Sequence, residues 1–443
     1  MDEPDPLSDD ARDEYRCPGQ RFPISRAVHL ARLASFYPRC RCCEHRHDTG
    51  LLSPRKVQQL VAVAESRPAG SLFREEGVGG VYLNDLTPAD ARRIAATFAT
   101  VLRCEGDGPA AGDARREEGK ETTPTLLPPS SFISHPFAVV LGGDGRALTA
   151  ELVAAACEGL RFAGCEVIDV GPVTSACLAF AVQRAHAAGG LLVGNSGTEP
   201  HEAAITFWAR GGRPISAGPL LTDIRQGLLA DSDHRTKVFG DVRLESAAEE
   251  YLVAMAGYYH GLRPLRVIVR SSSQPFFHFL RQLADRVACE IVPSRAARQE
   301  LPDQIRENAA HFAVEVCGNG EACRVWNEQG REVDAGLLLR LLAFRFRPPQ
   351  TVVVDGEMSG SVVADLEQEG FRVVRSGPSR ASLAVVMQAN DAALGAGAGG
   401  RFWHRDLGLP VPDALMTVTA ILILLSRSDA PLSRVLDQLA AGK

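Results

Sequence analysis

Val139 to Gly171, V-V-L-G-G-D-G-R-A-L-T-A-E-L-V-A-A-A-C-E-G-L-R-F-A-G-C-E-V-I-D-V-G, is the stretch on which the fold turns. An apolar run ends in a glycine-rich turn, an alanine-rich helical pattern follows, and a second apolar run closes the unit. Short strands are predicted at Phe137–Leu141, Glu166–Val170 and Leu191–Val193, with helical patterns between them. The theme returns at Leu265–Val269, Glu290–Val292 and Phe312–Val316, then at Thr351–Asp355, Phe371–Val374 and Ser382–Met387. Strands alternating with helices imply βαβ units and mostly parallel sheets with both faces covered. Recurrence about every 100 residues predicts three similar α/β domains in series.

The bulk numbers agree with a multidomain globular chain. At 443 residues, two to four domains are expected. Hydrophobic content of 45% and charged content of 23% are ordinary. A net charge of −6 argues against a general nucleic-acid binder. The most apolar run, Ala414 to Leu425, falls well short of the ~20 residues a membrane span needs and reads as a buried helix. The opening M-D-E-P-D-P-L-S-D-D is acidic where a signal peptide would be basic, and eleven scattered cysteines suit a reducing cytoplasm.

Residues 1–14 are acidic and poor in large apolar groups, which predicts a disordered tail. From Asp85 a helix is expected, with Thr87 as N-cap, Pro88 at the first helical position, and Ile94, Phe98 and Val101 on one face. Residues 104–136 are rich in Gly, Pro and charge, which marks a flexible insertion.

Residues 15–68 form a basic, Cys/His-rich module. Cys17, His29, Cys40, Cys42, Cys43, His45 and His47 crowd together, and Cys40 with Cys43 makes a C-x2-C knuckle. Cys17 together with His45 or His47 would close a tetrahedral set suited to Zn2+. Another metal, such as an iron–sulfur centre, and a metal-free module remain alternatives. The segment is too short to bury a good core alone, which favours a metal staple. Its arginines read as a solvated surface or as a docking face for an acidic protein partner.

Val139 to Gly171 also resembles the opening of the phosphohexomutases, the phosphoglucomutase/phosphomannomutase family, with Arg146 kept and the usual first Arg falling on Gly143. The resemblance covers about residues 69–443 and implies three similar α/β/α domains followed by a fourth. It places mutase-like domains at 69–235, 236–346 and 347–443, after which the fourth, with its substrate-phosphate clamp, would begin. The family moves a phosphoryl group within a hexose phosphate through a phosphoserine and Mg2+. In Leu191 to Phe207, L-L-V-G-N-S-G-T-E-P-H-E-A-A-I-T-F, Ser196 takes the nucleophile position. Gly197 and Thr198 stand where the family has His and Asn, and Ala203, Ala204 and Thr206 where it has Asn, Gly and Lys. The string S-G-T-E-P itself is like one in the family's fourth domain. Here it is a coincidence or a loop able to hold a small anion through backbone N–H groups.

Other loops depart further. The family's metal loop D-G-D-x-D-R lands on Cys317-Gly318-Asn319-Gly320-Glu321-Ala322. Replacing three Asp with Cys, Asn and Glu cuts the ligand charge from −3 to about −1 and adds a soft sulfur, a poor set for a hard ion. The sugar-selecting loop lands on Ala396 to Arg401, with the acidic sugar ligand replaced by Gly397. Gly356 to Gly360 spells a similar G-E-x-S-G after the wrong strand, and is read as accidental. Phe73 to Gly80, F-R-E-E-G-V-G-G, resembles the family's front motif with its Arg at Gly79. Gly395 to Gly400 satisfies G-x-G-x-x-G formally, but with no strand expected before it and no helix after it.

Two readings follow. In the first, the chain is a catalytically degenerate family member that binds a sugar phosphate or other small anion, or serves as a scaffold, with Gly197, Thr198 and Arg401 as anion contacts. In the second, it is an active intramolecular phosphotransferase that uses phospho-Ser196 and Arg146. Cys317, Asn319 and Glu321 form the degenerate Mg2+ loop. Cys17, Cys40, Cys43 and His45 form the zinc set. No nucleic-acid or membrane partner is expected.

Overall fold

The computed structural model describes residues 15–16, 22–35, 37, 40, 43–62, 72–106, 137–194, 201–230 and 239–441. The acidic tail, most of the insertion, Cys17, and the loop carrying Ser196, Gly197 and Thr198 lie outside the described residues.

Val139, Val140 and Leu141 are completely buried because the strand Ala138–Gly143 is covered on both sides. Val139 and Leu141 join one apolar core while Val140 joins the other, as a period of two demands. Each such side chain contributes about 1.5–3 kcal/mol by leaving water. The helices Pro88–Gly106 and Ala150–Phe162 cover the first face. They cross so closely that a Cβ on Gly159 would lie 2.1 Å from the Arg92 carbonyl oxygen. The first of these helices begins as expected. Thr87 Oγ1 accepts from Asp90 N at 3.2 Å, and Asp90 Oδ2 accepts from Thr87 N at 3.0 Å.

Three sheets share one strand logic. The first runs Phe73–Arg74, Gly77–Val81, Glu202–Ala209, Gly189–Gly194, Ala138–Gly143, Glu166–Pro172, Val242–Leu244, with Arg213–Ile215 also paired to Glu202–Ala209. The second runs Glu290–Pro293, Arg266–Ser271, Phe312–Val316, Cys323–Asn327, Glu332–Val333. The third runs Arg372–Ser376, Thr351–Asp355, Leu394–Ala396, Phe402–His404, Val411–Pro412. In each, a parallel trio with its first strand in the middle is continued by an antiparallel partner of the third strand. The expectation of mostly parallel pairing is therefore corrected, since these partners and the edge strands beyond them make eight antiparallel strand pairs against seven parallel ones among the described residues.

A second correction concerns Ser382–Met387, read as a strand. It lies in the helix Arg380–Ala389, where Leu383, Ala384 and Met387 are buried at helical spacing and Ser379 accepts from Ser382 N at 3.1 Å as N-cap. The third strand of that sheet is instead Leu394–Ala396. Gly395 thus lies inside a strand, and the strand Phe402–His404 follows Gly400, so no helix opens there. Cys104 to Gly106, assigned to the insertion, complete the helix Pro88–Gly106.

Ala414–Leu425 forms the expected buried helix, inside an apolar cluster that also takes Val140, Val314 and Val354 from the three sheets. Among the described residues, no helix is long and apolar enough to cross a membrane.

Candidate functional site

The turn before Gly77–Val81, the loop after Phe312–Val316, the loop after Leu394–Ala396 and the start of helix Arg380–Ala389 meet around one buried arginine. Arg380 is the first residue of its helix, so its backbone N–H is free to donate outward and reaches Glu76 Oε1 at 3.0 Å. Its side chain donates through Nε to Glu76 Oε2 at 2.8 Å, through Nη1 to Glu321 Oε1 at 2.9 Å, and through Nη2 to the Glu76 carbonyl at 2.9 Å. The guanidinium lies 5.2 Å from the centre of the Trp208 ring.

Two further side chains complete the set. Ser216 Oγ donates to Glu76 Oε2 at 2.6 Å and accepts from Ala381 N at 3.2 Å. Arg401 reaches Glu76 Oε1 at 3.2 Å and Glu321 Oε2 at 3.6 Å. Two carboxylates therefore face two guanidiniums and the cluster is charge-balanced. Burial by itself would raise the Glu76 carboxyl, but Arg380, Ser216 and Arg401 outweigh it and hold the group below its usual range. Burial works against the charge of Arg380, and Glu321 and Glu76 more than restore it.

The loop 317–322 is closed on itself. Cys317 N donates to Ala322 O at 3.0 Å, Gly320 N to Cys317 O at 2.8 Å, and Ala322 N to Cys317 Sγ at 3.3 Å. Its carbonyls serve two helices, because Asn319 O accepts from Ser175 N at 3.0 Å and Gly320 O from Ala414 N at 2.9 Å. Gly320 needs its positive φ of 74° to make this turn. Burial, then the Glu321 charge, pushes the Cys317 thiol up, so the sulfur keeps its proton. Both Glu321 oxygens face guanidiniums, and Asn319 brings a neutral amide. This donor set does not fit Mg2+, which requires charged oxygens free to coordinate.

The loop 397–401 is held from two sides. Asp355 Oδ2 accepts from Ala398 N at 3.0 Å, and a Cβ on Gly397 would lie 2.8 Å from that same oxygen. A side chain at Gly397 would therefore require the Asp355 carboxylate to move, and an acidic one would also be repelled by it. Cys323 N donates to Gly400 O at 2.9 Å, which ties this loop to the strand beyond Glu321 and sets Arg401 in place. Asp355 Oδ1 also accepts from Glu357 N and Met358 N, and Ser359 caps the helix Gly360–Gln368, so the G-E-M-S-G string is a strand-to-helix turn.

Arg146 is engaged within its own region. It pairs with Asp144 and donates to the Glu202 carbonyl at 3.0 Å, while Asp144 also accepts from Arg146 N and Thr149 Oγ1. A Cβ on Gly143 would meet Val153 at 3.0 Å.

Sequence reasoning thus placed Glu321 and Arg401, and the structure brings them together. It missed Glu76, Ser216 and Arg380. For Arg380 a signal existed in P-S-R-A-S-L-A, where Ser379 is a good N-cap ahead of apolar residues at helical spacing. In the N-terminal module, Cys40 and Cys43 are buried and the His45 ring meets Tyr15 edge-on at 5.1 Å. Tyr15 stacks on His29 at 4.2 Å, and His29 Nε2 hydrogen-bonds Asp48 O at 2.9 Å. Among the described residues, no three His, Cys, Asp or Glu side chains gather as a metal site requires.

Comparison with known proteins places this architecture. A family profile described as phosphoglucomutase/phosphomannomutase, alpha/beta/alpha domain I, matches residues 133–229. The chain is 24% identical over 303 residues to a phosphomannomutase of Escherichia coli, covering 61% of this chain and 66% of that protein. It is 22% identical over 395 residues to a phosphoglucomutase/phosphomannomutase of Thermococcus kodakarensis, covering 84% of this chain and 80% of that one. Residues 133–229 thus match a phosphohexomutase domain I, and the chain as a whole is similar to that family. It spans just under two thirds of the length of the first curated relatives it matches. The phosphohexomutase fold itself is shared with a phosphoglucomutase/phosphomannomutase family protein from Burkholderia thailandensis, at a TM-score of 0.70 and 20% identity, over 84% of this chain and 80% of that one. It is shared also with the pp63/parafusin phosphoglucomutase of Paramecium, at 0.61 and 12%, over 84% and 74%.

Proposed function

We propose that this phosphohexomutase-family protein is catalytically degenerate and acts as a sugar-phosphate- or anion-binding protein or as a scaffold. One observation carries the reading: the Glu321 carboxylate is closed by Arg380 on one oxygen and faced by Arg401 on the other. Phosphoryl transfer depends on positioning and on charge placed at the transferring group. A fixed guanidinium buried between two carboxylates cannot follow a phosphate, and moving it away would strand both carboxylates. The Cys317 thiol and the Asn319 amide support the same reading.

The second reading, turnover through phospho-Ser196 on hexose phosphates, draws support from the hairpin Gly189–Gly194 and Glu202–Ala209, which brackets that loop inside the segment matched by the family profile. A coupled mutase assay on glucose 1-phosphate and mannose 1-phosphate with Mg2+, run beside Ser196→Ala, decides between them. The expected result is equal background in both proteins. Turnover that disappears in Ser196→Ala would overturn the degenerate reading.

Each sheet is proposed as the centre of one domain; the ranges 69–235, 236–346 and 347–443 need one change, because Val242–Leu244 pairs with Glu166–Pro172 and moves the first boundary beyond residue 244. A cytoplasmic location and a protein partner on the basic module 15–68 are part of the same proposal. Zinc on Cys17, Cys40, Cys43 and His45 is tested by metal analysis of the purified protein beside Cys40→Ser. A stoichiometric metal lost in the variant is expected, and a metal-free wild type removes zinc from the proposal.

A further inference from the structure

Arg270, Glu315 and Arg324 stand side by side on three neighbouring strands. Glu315 is in register with Arg270 on one side and with Arg324 on the other. Alternation along the strand puts Val314 and Val316 in the core behind them, so the three charged side chains share the opposite face. Arg298 comes over the same row from the turn Arg298–Glu300.

Glu315 is largely buried and pairs with Arg270 through one oxygen and with Arg298 through the other, at 2.5 Å. Arg324 reaches Glu332 at 3.3 Å. Three guanidiniums therefore meet two carboxylates, an excess of one positive charge. Partial burial, then Arg324 and Arg270, depress Arg298 below the usual arginine range. Two of the guanidiniums are held in place by a carboxylate beneath them, while all three remain open to solvent on their outer edges. Arg270 and Glu315 lie at the carboxyl ends of the two strands where the chain reverses its path across this sheet, a place where open α/β sheets receive ligands.

We propose that Arg270, Arg298 and Arg324 form a binding site for a phosphate-type oxyanion, separate from the Glu76–Arg380 centre, with which it shares no residue. A tetrahedral dianion accepts paired N–H groups from guanidiniums and neutralises charges the protein leaves in excess. Glu315 acts as the positioning residue, since it fixes the arginines before the ligand arrives and lowers the ordering cost of binding.

The test is calorimetric titration of the full-length protein with inorganic phosphate at low and high salt, and with phenyl phosphate in a second arm. Saturable binding that weakens with salt is expected, with about tenfold or greater loss in Arg298→Gln and in Arg324→Gln. Arg184→Gln, an exposed arginine paired elsewhere with Glu250, is expected to bind as wild type. Tighter binding of phenyl phosphate assigns the site to phosphate esters, and equal binding assigns it to the free ion. The absence of saturable binding overturns the proposal. So does binding that survives both Gln variants, or that is lost only in Arg401→Gln, which would move the anion to the mutase centre. Circular dichroism confirms that each variant is folded.

Discussion

Arg380 Nη1 lies 2.9 Å from Glu321 Oε1, in the loop 317–322 that the sequence reading sets against the phosphohexomutase metal loop. A side-chain cation thus stands against the remaining carboxylate of that loop. Unlike a divalent ion, it is tethered to a helix start and shared with Glu76 from the opposite side. The consequence is mechanical as well as electrostatic, because the pairings join segments from all three sheets.

Removing the arginine should be costly. Arg380→Met leaves Glu321 buried and Glu76 partly buried with Arg401 as their remaining cation, and a loss of about 3–5 kcal/mol is expected by urea denaturation. Adding Glu321→Gln to that variant should recover part of the loss, since one stranded charge is then gone. A double variant no more stable than the single would show that the two residues are not coupled.

Magnesium should leave the wild-type melting temperature where it is, because a ligand stabilises only the folded state that binds it. A magnesium-dependent rise abolished by Glu321→Gln would place a working metal site in the loop 317–322.

Asp413 introduces a pH dependence of known sign. It caps the helix Ala414–Leu425, accepting from Leu415 N at 2.9 Å and Met416 N at 3.1 Å, and also accepts from Tyr251 OH at 2.6 Å. Burial lifts its carboxyl from 3.8 to about 6, against the Tyr251 and backbone hydrogen bonds. Between those values the folded chain keeps a proton that the unfolded chain has released. Its contribution to stability therefore falls as pH rises from 3.8 to about 6 and is constant above that. The slope is at most about 1.4 kcal/mol per pH unit. Asp413→Asn should remove it, read as the difference between wild-type and variant denaturation curves across that range.

Gly400→Ala and Gly399→Ala should part company. At Gly400 φ is 83° and a Cβ would lie 2.6 Å from Cys323 O, whereas Gly399 has nothing within 4 Å. Gly400→Ala is expected to cost about 1–3 kcal/mol and to loosen the Cys323–Gly400 hydrogen bond that sets Arg401. Gly399→Ala should be close to neutral in the same denaturation experiment.

Much of the scaffold was legible because its signals are local. Thr87-Pro88 announces a helix start, and Ala414 to Leu425 announces a buried helix, through residues within a turn or two of each other. Ser382–Met387 failed for the complementary reason. A short apolar run has the same composition in a covered strand and in a buried helix, and only the Ser379 cap separates the two. That Cys317, Asn319 and Glu321 are poor Mg2+ ligands by residue type was also legible in the sequence alone.

What the amino-acid order determined by itself was the alternation of strands and helices, the caps that start them, and the residue types on each loop. The pairing of Glu76 with Arg380, 304 residues apart, belongs to the tertiary structure. Sequence records that both residues are charged. Only folding withdraws them from water into one small volume, and there an unpaired charge is so unfavourable that each carboxylate must meet a guanidinium.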